Sequence, residues 1–149
     1  MRHHVQRWLR RDDGAAVVEF VVLVVLVIVP IVYAVIAAMS VQSAAYAVTQ
    51  AARESARAFT QAETLSQARS AARIATSLAL DDQGVPVRGD ELVVDCDGGC
   101  LSPGSTIRVS VSTRVRLPFL PASLADSTVG AVPVSAVHIA VVDDYRDAP

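Results

Sequence analysis

Glu19 is the carboxylate at the edge of a long uncharged run, and its position gives it chemistry to do. It stands five residues after Gly14, in the segment RRDDG-AAVVEF. An acidic group deep in a bilayer costs roughly 2.5–3.5 kcal/mol on insertion scales, and much less near the interface. Two readings follow. Glu19 marks the cytoplasmic edge of the span, or its position relative to Gly14 matters.

Cys96 and Cys100 are the only two cysteines, and they flank DGG. Outside the cytoplasm such a pair reads as a disulfide. Free thiols come second, and a metal site last, since it needs about four ligands and no His is local. The closed loop is short, so its chain-entropy contribution is only about 2 kcal/mol. Three residues separate the cysteines, not the two of a thioredoxin-like redox motif. His3 and His4 lie near the N-terminus, and His138 in the last apolar run reads as structural. No Ser-His-Asp or Cys-His set has a supporting motif, and GCLSPGS lacks the Lys and helix start of a phosphate loop. The expectation is a non-enzyme without cofactor or metal. A net charge of −2 with no basic stripe argues against nucleic acid as a partner. All 13 basic residues are Arg, which reads as genome composition, and the absence of Asn excludes N-glycosylation.

The element that positions Glu19 is the run that follows it. Phe20 to Met39 reads FVVLVVLVIVPIVYAVIAAM, without a charge. A helix of about 20 residues crosses the roughly 30 Å hydrocarbon core. Val and Ile favour strands in water, but a lone span in lipid must satisfy its own backbone and so is helical. Pro30 removes one backbone bond and is expected to kink the helix. Arg2, Arg7, Arg10 and Arg11 precede the run, and the next basic residue is Arg53. The positive-inside rule then places the N-terminus in the cytoplasm and the C-terminal part outside it. A cleaved secretory signal is the weaker alternative. Its apolar region spans about 7–15 residues, shorter than this one, although AVIAAMSVQSAA offers small residues to a signal peptidase.

The segment RRDDG-AAVVEF resembles the processing site of type IV prepilins and pseudopilins: a short charged leader ending in Gly, then an apolar run with Glu at its fifth position. A second stretch, QAARESARAF at 50–59, is similar to the Ala–Arg-rich segment that follows the span in TadE-like proteins, the minor pilins of the tight-adherence (Tad) pilus. The matching residues are Ala51, Ala52, Arg53, Ala56, Arg57 and Ala58. VSAVHIAVVDDYR near the end is similar to C-termini of that family. The resemblance covers most of the chain but is diffuse beyond the N-terminal motif. It implies a subunit stored in the lipid bilayer, with pilins and other Tad assembly proteins as partners. It also implies cleavage between Gly14 and Ala15 by a prepilin peptidase, after which the new Ala15 amino group would pair with a neighbour's Glu19, beside Phe20, in an apolar bundle; such a pairing offsets the burial cost of both charges and sets the axial register between subunits. That cut removes four Arg and two Asp, which lowers the net charge of −2 by two. The alternatives are an uncleaved membrane-anchored binding or scaffold domain and, weakest, a small secreted enzyme.

The remaining sequence is α+β. Val41 to Leu80 holds no Gly or Pro and is rich in Ala, Gln, Arg and Leu, a helix-compatible composition. Apolar residues recur at Val41, Ala44, Ala45, Val48, Ala51, Ala52, Phe59, Ala62, Leu65, Ala72 and Leu78, mostly three or four apart. Arg53 with Arg57, and Arg69 with Arg73, line a polar face. The expectation is one continuous or nearly continuous helix from about Ala16 to Leu80, stopped by DDQG with Gly84. ELVVDC at 91–96 reads as a strand, and DGGC as a tight turn. TIRVSVSTRVRL at 106–117 alternates strictly: Ile107, Val109, Val111, Thr113, Val115 and Leu117 on one face, Arg108, Ser110, Ser112, Arg114 and Arg116 on the other. PFLPASL at 118–124 is a connector, and TVGAVPVSAVHIAVVDD at 128–144 is a third strand, bent or at an edge because of Pro133. DYRDAP reads as a frayed tail. The expected layout is a leader at 1–14, a transmembrane helix at 15–40, an amphipathic helix at 41–82 and a β-rich domain at 83–149. The amphipathic part packs on a small, three-stranded antiparallel sheet.

Overall fold

The computed structural model describes residues 12–89, 91–119 and 130–145, with side chains from residue 15 onward. Residues 1–11, most of the PFLPASL connector and the end of the DYRDAP tail lie outside the described residues. Two helices come first, α1 at Asp12–Gln61 and α2 at Leu65–Asp81. Three strands follow: β1 at Leu92–Asp97, β2 at Thr106–Arg116 and β3 at Ala131–Val141. They form one antiparallel sheet in the order β1-β2-β3. The class is the expected α+β, a long N-terminal helix with a small antiparallel sheet. The chain divides into two compact units, Met1–Ala38 and Met39–Pro149.

In the first unit α1 is helical across Pro30 without a break. The proline lacks an N–H, so the Leu26 carbonyl receives no helical bond from it. From Ala15 to Ala38 no residue is buried. Phe20 and Leu26 are each 66% exposed, in the middle of an apolar sequence. This is the one helix among the described residues that is long and apolar enough to cross a membrane.

The second unit holds the core. Its part of α1 buries Ala44, Ala47, Val48, Ala51, Ala52, Ser55, Ala56 and Phe59. These positions repeat every three or four residues and make one stripe. Alanine loses no rotamer freedom on burial, and its small side chain lets neighbouring backbones come close. Arg53, Arg57, Arg69 and Arg73 face solvent, as expected of a polar face.

The expected continuous helix is interrupted at 62–64. Thr64 caps α2: its Oγ1 accepts the Gln67 N–H at 3.3 Å, and Gln67 Oε1 accepts the Thr64 N–H at 3.2 Å. This capping box satisfies two donors that a helix start leaves open. The break resets the helical phase, so a spacing drawn across it misplaces the core. Leu65 and Leu78 are exposed, and α2 buries Ala68, Ala72, Thr76 and Leu80 instead. Ser55 of α1 and Thr76 of α2 bond at 2.6 Å in the interior. The Thr76 hydroxyl donates to the Ala72 carbonyl at 2.9 Å, so Ser55 is the donor between the helices.

Gly84 ends α2 as expected. Its φ of +67° is the left-handed region, where a Cβ is penalised. The Gly84 N–H donates to the Asp81 carbonyl at 2.8 Å, and the Val85 N–H to Leu80 at 2.9 Å. These are the two bonds of a Schellman motif, with buried Val85 and Leu80 as its apolar contact.

β2 is the central strand, and its alternation is realised: Ile107, Val109, Val111 and Thr113 are buried, while Arg108, Ser112, Arg114 and Arg116 are exposed. Leu92, Val94 and Cys96 from β1, and Val134, Ala136 and Ala140 from β3, pack around the same core. β3 is an edge strand, which is where Pro133 can sit without breaking an inner ladder. The expected tight turn at DGGC is a longer connection over residues 98–105. Gly98 there has a φ of +89°. Leu101 is buried, and the Cys96–Cys100 disulfide, with a Cα–Cα distance of 5.1 Å, ties the start of the connection to β1.

Candidate functional site

Two places in the chain carry groups that composition alone does not explain. The first is the start of α1. Gly14, Ala15, Glu19 and Phe20 all lie in the N-terminal part of the described helix. Ala15 and Glu19 are four residues apart, so they share a face and differ by about 6 Å along the axis. Glu19 is exposed, and Phe20 to Ala52 carries no charge at all. Glu19 is thus the one charged residue between Asp13 and Arg53. The Gly14–Ala15 bond lies within the helix.

The second place is an open cavity of about 580 Å³ in the second unit. Three elements build it. Met39, Ser40, Ser43 and Ala44 come from α1, the 83–88 segment brings Val85, Pro86 and Arg88, and the end of β2 brings Arg114, Val115 and Arg116. Alternation puts Arg114 and Arg116 on the exposed face of β2, and the turn after α2 brings Arg88 to the same cavity. Glu91 lines an adjoining cavity with Arg88 and Arg114. Glu91 is only 5% exposed, and its carboxylate accepts the backbone N–H groups of Arg88 and Gly89, the latter at 2.7 Å. Among the described residues, three arginines and no Asp or Glu line the cavity, and Arg116 has an interaction of its own.

The sequence-derived sites are therefore not brought to one place. Gly14, Ala15, Glu19 and Phe20 belong to the first unit, as does Pro30, and the disulfide Cys96–Cys100 staples a sheet connection in the second. His138 pairs across the sheet with Val109 and is half-buried. Among the described residues no group of three or more His, Cys, Asp or Glu is placed to hold a metal ion. The cavity was not legible from spacing, since residues 40, 88, 114 and 116 are far apart in sequence. The only available signal was the arginine pair at the end of the alternating strand. Comparison with known proteins gives no matching family model, no matching curated protein and no matching solved structure.

Proposed function

We propose that this chain is a minor pilin, pseudopilin or assembly subunit of a Tad-type, type IV-like pilus. The observation that carries the reading is the lone exposed Glu19, five residues after Gly14 on a helix that runs on from an all-apolar segment into a packed domain. On this reading the apolar half of α1 stores the subunit in the membrane, with the N-terminus in the cytoplasm and the remainder outside. A prepilin peptidase removes residues 1–14. The new Ala15 amino group then meets a neighbour's Glu19, and the helices of several subunits bundle around that pair. The sheet domain caps or primes the fibre.

Glu19→Ala tests the role of the carboxylate. In the native host, the variant should reach the membrane at normal levels, and surface-sheared fibres should lose the subunit or fall sharply in number. A Glu19→Ala strain with normal fibres containing the variant would sink the pilin reading.

One observation favours a second reading, an uncleaved membrane-anchored scaffold domain. The Gly14–Ala15 bond is helical, and a bond held in a helix resists proteolysis until that turn unwinds. This reading predicts an intact N-terminus and no effect of Glu19→Ala.

A further inference from the structure

We propose that β3 pairs edge to edge with β3 of a second copy of this chain, joining two sheets across a two-fold axis. β3 lies wholly in the second unit, so both readings of function leave the pairing open to the same test.

Hydrogen-bond accounting points to the edge. β3 is the last strand of the sheet, and among the described residues no strand pairs with its outer side. The Leu117 N–H donates to the Gly130 carbonyl, and the Val142 N–H to that of Ser105. Between these bonds the register is unbroken, from Thr106↔Val141 to Arg116↔Ala131. Residues of an antiparallel strand alternate between bonding a given neighbour and facing away from it. The even-numbered residues of β3 therefore bond β2, and the backbone groups of Ser135, Val137, Ile139 and Val141 face outward. Pro133 falls in the outward set, where its missing N–H costs the ladder with β2 no bond.

The two edges of the sheet differ in protection. β1 has 6 residues and carries exposed Asp95 and Asp97. β3 has 11 residues and no charge from Ala131 to Val141. Natural edges are blunted by shortness or charge, and a long apolar one is a template for another strand. Val134, Ala136 and Ala140 pack on the core, so the outward set holds its side chains on the opposite face. There Val137, Ile139 and Val141 are 55%, 51% and 62% exposed.

These features select the occupant. A partner strand must be extended, uncharged and apolar at alternate residues along the length of Ser135–Val141. β3 itself meets each condition. With His138 opposite His138 of the second copy, Ser135 faces Val141 and Val137 faces Ile139. Every outward N–H and carbonyl of Ser135–Val141 is then paired, and Pro133 stays outside the new ladder. The exposed valines and isoleucines of both copies form one continuous stripe. The β1 edge takes no part, so the assembly closes as a dimer. Strand edges alone bury less than the about 1,200 Å² of a standard interface, so pairing depends on concentration.

The test uses the full chain in detergent. Opposed residues of a non-hydrogen-bonded pair have Cα atoms about 4.5 Å apart, within the about 4.4–6.8 Å that a disulfide spans. His138→Cys should therefore cross-link two copies under mild oxidation, giving a dimer on a non-reducing gel. Val93→Cys, exposed on β1 at the other edge, should cross-link only at background level. Val137→Cys mixed with Ile139→Cys should cross-link more than either alone, which keeps the register testable should His138→Cys fail to fold. Adding Ile139→Lys to the His138→Cys chain sets like charges beside each other across the joint and should cut the yield about tenfold or more. Ile139 is exposed, so that change should leave the circular dichroism spectrum and melting temperature unchanged. Cross-linking at the Val93→Cys level from both the His138→Cys chain and the mixed pair would overturn the proposal. So would a yield that Ile139→Lys leaves unchanged. A dimer in sedimentation that survives Ile139→Lys would also overturn it, because the contact would then lie elsewhere in the chain.

Discussion

The two halves of α1 are made by one backbone and solve opposite problems. From Ala15 to Ala38 the helix is nearly all Val, Leu, Ile and Ala, and none of it is buried. From Met39 to Gln61 it is rich in Ala, Ser, Gln and Arg, and there it buries seven hydrophobic residues, Ala44, Ala47, Val48, Ala51, Ala52, Ala56 and Phe59. Most of the larger apolar side chains are exposed, and the buried stripe is mostly alanine, with Val48 and Phe59. Hydrophobicity alone does not mark a core. A uniformly apolar helix surface fits a solvent that is itself apolar, where packing against protein gains little. A striped, alanine-rich surface fits water on one side and close packing on the other. The boundary between the two regimes falls within four residues, between Met39, 65% exposed, and Ala44, 1% exposed.

The sharpest way to test this contrast is to make the same kind of truncation on both sides of it. Phe59 is 1% exposed and is the largest fully buried side chain. Phe59→Ala should destabilise the domain by about 3–5 kcal/mol, read as a lower denaturant midpoint in detergent. Leu26→Ala, in the exposed apolar half, should leave that midpoint within about 0.5 kcal/mol. Similar losses from both changes would break the comparison.

The disulfide belongs to the packed side. Reduction, or Cys96→Ser with Cys100→Ser, should lower domain stability by about 2 kcal/mol, because the closed loop is short. Melting with and without reductant reads this directly. The helical signal of the apolar half should be unchanged.

The smallest expected effect sits at the helix break. Thr64→Ala removes the cap of α2 and should cost about 1 kcal/mol. Hydrogen exchange should show the first turn of α2 opening sooner, with no change before residue 61. An undiminished midpoint would mean that the break is held by packing and not by its cap.

What could be read in the sequence depended on how locally it was encoded. The β2 alternation from Ile107 to Thr113 was plain because a half-buried strand shows its period in neighbouring residues. The Gly84 stop and the cysteine pair were local for the same reason. The break at 62–64 was also local, written as Thr-Leu-Ser-Gln, but a search for Gly and Pro passes over a capping box. Once that break is missed, later helical positions drift out of phase, which is why Leu65 and Leu78 were assigned inward and Thr76 was not, although Ala72 was placed correctly. The Ser55–Thr76 bond and the arginine cavity are non-local, joining residues 21 or more positions apart, so no spacing rule reaches them. Glu19 was visible at once as a charge beside an apolar run. On the proposed pilin reading its partner is on another copy of the chain, so one copy does not encode the pairing.

The pilin account is tested most directly by intact mass and N-terminal sequencing of the protein from its native membranes. It predicts a mature chain that begins at Ala15. A chain that retains Met1 or Arg2 contradicts processing and leaves the uncleaved scaffold in its place, and a start near Val41 or Ala44 contradicts both readings, because the apolar half of α1 would then be a discarded signal.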